Sequence, residues 1–166
     1  MNEQDENKDA DIAVEPKTIK PNPSIKRKHI ARLMAVQTIY ACMIDKTLNA
    51  QDLLNWQAEL PEKEAIIVSK PDAKLLNAIV FGAGEMYGSI VERLSELLGD
   101  RWNSKRMPMV MRAILICAMY EIIYTPKLAK LIIIDEYVGA ADAFLGDKDV
   151  SFVNGVLQEI TMILRA

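Results

Sequence analysis

The sequence predicts an all-α protein of about seven helices, and three observations predict it. Glycine and proline are scarce, at seven each in 166 residues, and aromatic residues make up only 6%. Ala, Leu, Ile and Met, which helices accept readily, supply much of the 51% apolar content. Apolar side chains recur at three- and four-residue spacing, and no stretch sustains the two-residue alternation of a half-buried strand.

Residues 1–23 lack that periodicity and contain Pro16, Pro21 and Pro23, so they read as a disordered, partly polyproline-like tail. Ser24 is a good N-cap for a first helix reaching about Ile44, with Leu33, Val36, Tyr40 and Met43 as its core stripe. Lys28 and Arg32 fall one turn apart on another face of it. A second helix covers Ala50 to Glu59 and stops before Pro61. Residues 62–71 read as a loop with one helical turn around Ile66.

From Asp72 to Leu98 the spacing is helical, but Gly82, Gly84 and Gly88 interrupt it, which predicts two helices or a kink near Gly88. Gly99 is the expected C-cap, and Trp102 to Lys105 a short connection. Arg106 to Tyr124 is apolar nearly all round and becomes the central buried helix, stopped by Thr125-Pro126. Leu128 to Leu145 follows with Ile134, Val138, Ala141 and Leu145 inward, and Gly146 ends it. A polar loop, Gly146 to Asp149, leads to the last helix, which buries Val153, Val156, Leu157, Ile160, Ile163 and Leu164. Asp149 and Ser151 are its candidate caps, and Gly155 would let a second backbone approach.

Charge is informative only when divided along the chain. Residues 1–15 carry −5, residues 16–32 carry +6, and the remainder carries −4 of the total −3. An acidic tail therefore precedes a concentrated basic segment. That tail either serves solubility alone or folds back on the basic helix and weakens unspecific binding of other anions by local charge competition. The apolar stretch Met107 to Tyr124 is broken by Pro108, Arg112 and Glu121, short of the ~18 uninterrupted residues of a membrane span. No signal peptide is legible in the acidic N-terminus, so the expected location is the cytoplasm. Cys42 and Cys117 lie among apolar neighbours and read as buried free thiols, and a single histidine with no CxxC pair gives no zinc site.

No catalytic constellation assembles from these residues, and no cofactor or small-molecule substrate is expected. His29 is the only imidazole and lies in a basic run, where phosphate or solvent contact suits it better than base catalysis. Asp135 and Glu136 are adjacent on a helix and point about 100° apart, which suits a surface Glu beside a backbone-bonded Asp rather than a working pair. The cluster Lys26, Arg27, Lys28, His29 and Arg32 opens the first helix and is either a solvated basic face or a phosphate-binding one. Gln37 could hydrogen-bond an unpaired base, and Tyr40 could stack on one or join the core. Phe152 presents the same choice, and the residues alone favour the core.

Four ordered blocks resemble the NusB family of bacterial transcription antitermination factors. They are Arg32-x-x-Ala35-Val36-Gln37-x-x-Tyr40, Trp102-x-x-x-Arg106 with Arg112 to Leu115 and Ala118-x-Tyr120-Glu121-Ile122, Ile134-Asp135-Glu136-Tyr137-Val138, and Phe152-Val153-Asn154-Gly155-Val156-Leu157. Two positions depart from the pattern. Ile116 stands where an Arg is common, which implies a lost ion pair or an altered partner surface, and Asp135 stands where Asn is usual.

The resemblance implies residues 24–166 as one domain of two small packed helical bundles, without a catalytic centre. It implies binding to the single-stranded boxA element of ribosomal-operon transcripts through Lys26, Arg27, Lys28, Arg32, Gln37, Tyr40, Phe152 and Asn154. It also implies a heterodimer with the ribosomal protein NusE, acting with NusA, NusG and RNA polymerase to suppress premature termination. A helical protein-interaction module without specific RNA binding is the rival reading, and a homodimer that buries the RNA surface is another. The NusB-like domain that heads a ribosomal RNA methyltransferase is a third, and the catalytic domain of such an enzyme is not expected here.

Overall fold

Proline and asparagine start the first helix two positions earlier than the Ser24 cap would. In the computed structural model, which describes residues 22–60 and 70–166, the Asn22 side chain accepts from the Ser24 amide and Pro23 takes the first helical position. The expected tail falls almost wholly outside the described residues, as does the turn near Ile66. α1 spans Pro23–Ile44, and α2 spans Ala50–Glu59 as the sequence indicates, capped by Asn49 on Gln51 and Asp52.

α3 (Ala73–Glu85) is capped by Asp72, whose carboxylate accepts from Leu75, and α4 spans Tyr87–Leu98. The break between them is at Met86, two residues before Gly88, so the chain divides into two helices as expected but not at a glycine. Gly82 serves a different end. A Cβ there would run into the ring of Tyr120, so its bare backbone is what lets α3 lie against that side chain. Gly99 caps α4 in the left-handed region at φ +52°, where only glycine sits without strain.

The connection that follows closes into a short helix, α5 (Asp100–Asn103), which buries Trp102. α6 spans Met109–Tyr124 and begins three residues later than its apolar pattern suggests, because Pro108 bars Met107 from helical backbone. α7 covers Lys130–Phe144 and α8 covers Asp147–Leu164. The expected polar loop before α8 is therefore mostly helix. Gly146 is the N-cap, and Asp147 and Asp149 lie in the first turn, where acidic groups suit the helix dipole. Gly155 has open space around it, so no second backbone approaches there.

Among the described residues every regular element is helical. α1 packs on α3 and α6, while α7 and α8 pack on each other and on α6, giving two bundles that share α6. That helix is buried on all sides from Ala113 to Met119, and one continuous apolar core runs through both bundles. Ile116 is fully buried within it. The position that departs from the family pattern is thus a core position and offers no partner surface. Cys117 is also fully buried, whereas Cys42 is only half-buried and departs from the expected pair of buried thiols.

Candidate nucleic-acid interface

The cations of α1 divide sharply. Lys26, Arg27 and Lys28 are exposed, and Arg27 also ties α1 to the cap of α3 through its carbonyl, which accepts from the Asp72 amide at 3.0 Å. Arg32, grouped with them by sequence, is only 3% exposed. Its Nε and Nη2 donate to the two Glu121 oxygens at 2.8 and 3.0 Å, and its Nη1 donates to Glu136 at 3.2 Å. Arg32 is therefore a buried clamp between α1, α6 and α7, and no phosphate can reach it without breaking that clamp. Burial alone would pull its guanidinium down, but the Glu121 hydrogen bonds and charge more than compensate and hold it firmly protonated.

Tyr137 completes the cluster by donating its hydroxyl to Glu121 at 2.7 Å from full burial. Desolvation, followed by the Glu121 charge, pushes that phenol well above its ordinary range. Cys117, one turn before Glu121, is pushed up for the same two reasons. The expected roles of the adjacent carboxylates are reversed. Asp135 is exposed, whereas Glu136 faces inward and accepts from Arg32, with the His29 imidazole 3.1 Å away.

Tyr40 leaves the core stripe to which periodicity assigns it and is 38% exposed, while Ile39 and Val36 take the buried positions. Gln37 is half-buried on the same side of α1. The residues expected from the last helix lie elsewhere. Phe152 packs partly against the core and lines an open groove of about 290 Å³ with Met107, Met111, Arg106, Lys148 and Asp149. Asn154 is half-buried, and its side-chain carbonyl accepts from Gln158 at 3.2 Å. The groove was not legible from the Phe-Val-Asn-Gly block, because Arg106 and Met107 come from a turn some 45 residues earlier.

The sequence did hold a signal for the buried cluster. Glu121 is the only acidic residue in α6, a helix apolar nearly all round. A charge placed there must find a partner of opposite sign, and Arg32, set between Ala31 and Ala35 in α1, was available for it.

Fold and surface together define an all-helical, two-bundle protein with an electropositive start to its first helix and a groove lined by Phe152 at the start of its last. The sequence model of the NusB family matches residues 29–162, and the chain belongs to that family. Its relatives include the transcription antitermination proteins NusB of Rickettsia rickettsii, 29% identical over 82% of this chain and 92% of theirs, and of Rickettsia bellii, 28% identical over 82% and 90%. The structure of T. maritima NusB superposes with a TM-score of 0.66 at 22% identity, covering 81% of this chain and 90% of that one. No described helix is long and apolar enough to cross a membrane.

Proposed function

We propose that this protein binds boxA-type single-stranded RNA in ribosomal-operon transcripts, together with NusE, and helps RNA polymerase read through terminators. The observation that carries the reading is the membership of the NusB family joined to three exposed cations, Lys26, Arg27 and Lys28, at the start of the first helix. Those cations would neutralise phosphates, and Tyr40 is exposed enough to stack on an unpaired base. Phe152, with Arg106 and Lys148 beside it, would offer a second ring next to positive charge. Gln37 and Asn154 would supply amides to base edges. Of the eight residues the sequence nominates, Arg32 would act only by positioning α1.

The mechanism is tethering in the cytoplasm. An RNA segment and NusE would hold the assembly near RNA polymerase with NusA and NusG, each contact raising the effective concentration of the next. A protein-interaction module is the second reading. It is favoured by the exposed Leu131 and Ile132 on α7 and Met162 and Ile163 on α8.

Fluorescence anisotropy with a boxA-like strand and a scrambled control, at about 50 and about 200 mM salt, separates the two. Preference for boxA that survives the higher salt, grows with NusE and falls with Phe152→Ala supports antitermination. Equal binding to both strands that salt abolishes leaves the interaction module.

A further inference from the structure

We propose that His29, oriented by Glu136, is an RNA-contacting residue of α1 that binds a backbone phosphate only as the imidazolium, so that RNA binding takes up a proton. The inference rests on the RNA reading above and deepens it.

Position is the first argument. At about 100° per residue, Lys26, Gln37 and Tyr40 all fall within about 80° of His29 around the α1 axis. The buried Val36 and Arg32 lie within about 60° of His29 as well, so His29 stands where the buried side of α1 meets the open one. The His29 side chain is 37% exposed, so it reaches solvent beside the exposed Lys26. Burial of Arg32 removes one cation from the basic face, and His29 is the next basic side chain that can serve there.

Chemistry is the second argument. Nδ1 of His29 lies 3.1 Å from Oε2 of Glu136. An ionised carboxylate only accepts, so Nδ1 must carry the hydrogen. In the neutral ring Nε2 is then a bare acceptor, and a phosphate oxygen, also an acceptor, cannot bond to it. Only protonation at Nε2 gives the ring a second donor, free of Glu136. Gly139 on α7 limits the alternatives, because its backbone lies against the ring edge and even a methyl group there would sit 3.3 Å from Cε1. From α7 the ring thus faces Glu136. Lys26 precedes it by one turn of α1 and Arg32 follows by one, and Glu121 of α6 reaches the same cluster through Arg32.

The test measures anisotropy of a short labelled boxA-like strand with the full chain at about pH 6 and about pH 8, which bracket the ordinary imidazole range. The wild type is expected to bind roughly two- to five-fold more tightly at the lower pH, the worth of one exposed ion pair. His29→Arg should bind tightly at both pH values and His29→Gln weakly at both. Glu136→Gln, which no longer dictates the tautomer, should shrink the pH dependence, and an unchanged dependence would overturn the part given to Glu136. Wild-type affinity indifferent to pH, or a dependence that persists in His29→Gln, overturns the inference while leaving RNA binding intact. No binding by the wild type at either pH, unrescued by His29→Arg, overturns the RNA reading itself. Since the chain has a single histidine, its ring signals in the NMR spectrum need no assignment by mutation. They should shift when the strand is added, and signals that stay put while anisotropy saturates also sink the proposal.

Discussion

Arg32 and Glu121, 89 residues apart in sequence, meet in a two-pronged ion pair at 2.8 and 3.0 Å in the interior of the protein. Their side chains are 4% and 0% exposed. Around them Tyr137 and Glu136 bring in α7, so three helices converge on one carboxylate and one guanidinium. The planar fork of Arg matches both carboxylate oxygens at once, which an ammonium cannot do.

Breaking this pair from one side leaves an uncompensated charge in the core. Arg32→Ala and Glu121→Ala are each expected to cost about 3–5 kcal/mol, and Arg32→Lys to recover only part of it. The double variant should lose less than the sum of the singles, because removing both partners strands no charge. Chemical denaturation of the four proteins measures this, and additive losses would mean that the two groups are not coupled.

All the helices but the one-turn α5 were legible in the sequence, because each of them is amphipathic or wholly apolar. Caps were harder to read. Ser24 and Asp149 have cap chemistry, but Asn22 with Pro23 and Gly146 lie one to three residues upstream and win the positions. The site was read by residue type, and that reading fails where type and environment part company. Arg32 is a cation that points inward, and Tyr40 sits on an apolar stripe yet points outward. The resemblance blocks named Arg32, Glu121, Glu136 and Tyr137 separately, but only the packing of α1 and α7 on α6 joins them. Periodicity within one helix carries no information about such a meeting.

The division of the α1 cations predicts two kinds of salt dependence. Lys26→Ala should weaken binding of a single strand and reduce the slope of log affinity against log salt by about 0.7, the value of one phosphate contact. Arg32→Lys should leave the slope unchanged in the fraction that remains folded, since the buried guanidinium touches no phosphate. Titrations of anisotropy over several salt concentrations decide it. A slope reduced by Arg32→Lys as much as by Lys26→Ala would return Arg32 to the RNA surface.

Tyr137 links the cluster to pH. Its folded phenol is held above its ordinary value by burial and by Glu121, so its contribution to stability is intact below the unfolded value of about 10 and is lost as pH rises from there. Cys117 acts in the same direction, beginning near the unfolded thiol value of about 8.5. One of the five tyrosines should therefore ionise only as helicity collapses, which parallel absorbance and circular dichroism scans would detect. Tyr137→Phe should abolish that coupled step and, by leaving Glu121 short of a donor, cost about 1–3 kcal/mol at neutral pH. Smooth ionisation of all tyrosines before any loss of helix would refute the coupling.

Arg165 closes the C-terminal end of α6. Its guanidinium donates to the carbonyls of Glu121, Ile122, Thr125 and Leu128, and so gathers the end of α6, the turn after it and the end of α8. The last carbonyls of a helix have no partner within it, and a cation there also suits the dipole. Arg165→Ala is expected to cost about 2 kcal/mol, and Arg165→Lys most of that, because a single ammonium cannot serve four acceptors fanned around a planar group. Hydrogen exchange should show the loss as faster opening at the α6–α7 turn, with the amides of α1 and α3 unaffected. If both variants left that turn as protected as in the wild type, Ala113 to Met119 would be anchoring α6 without help from its C-terminal end.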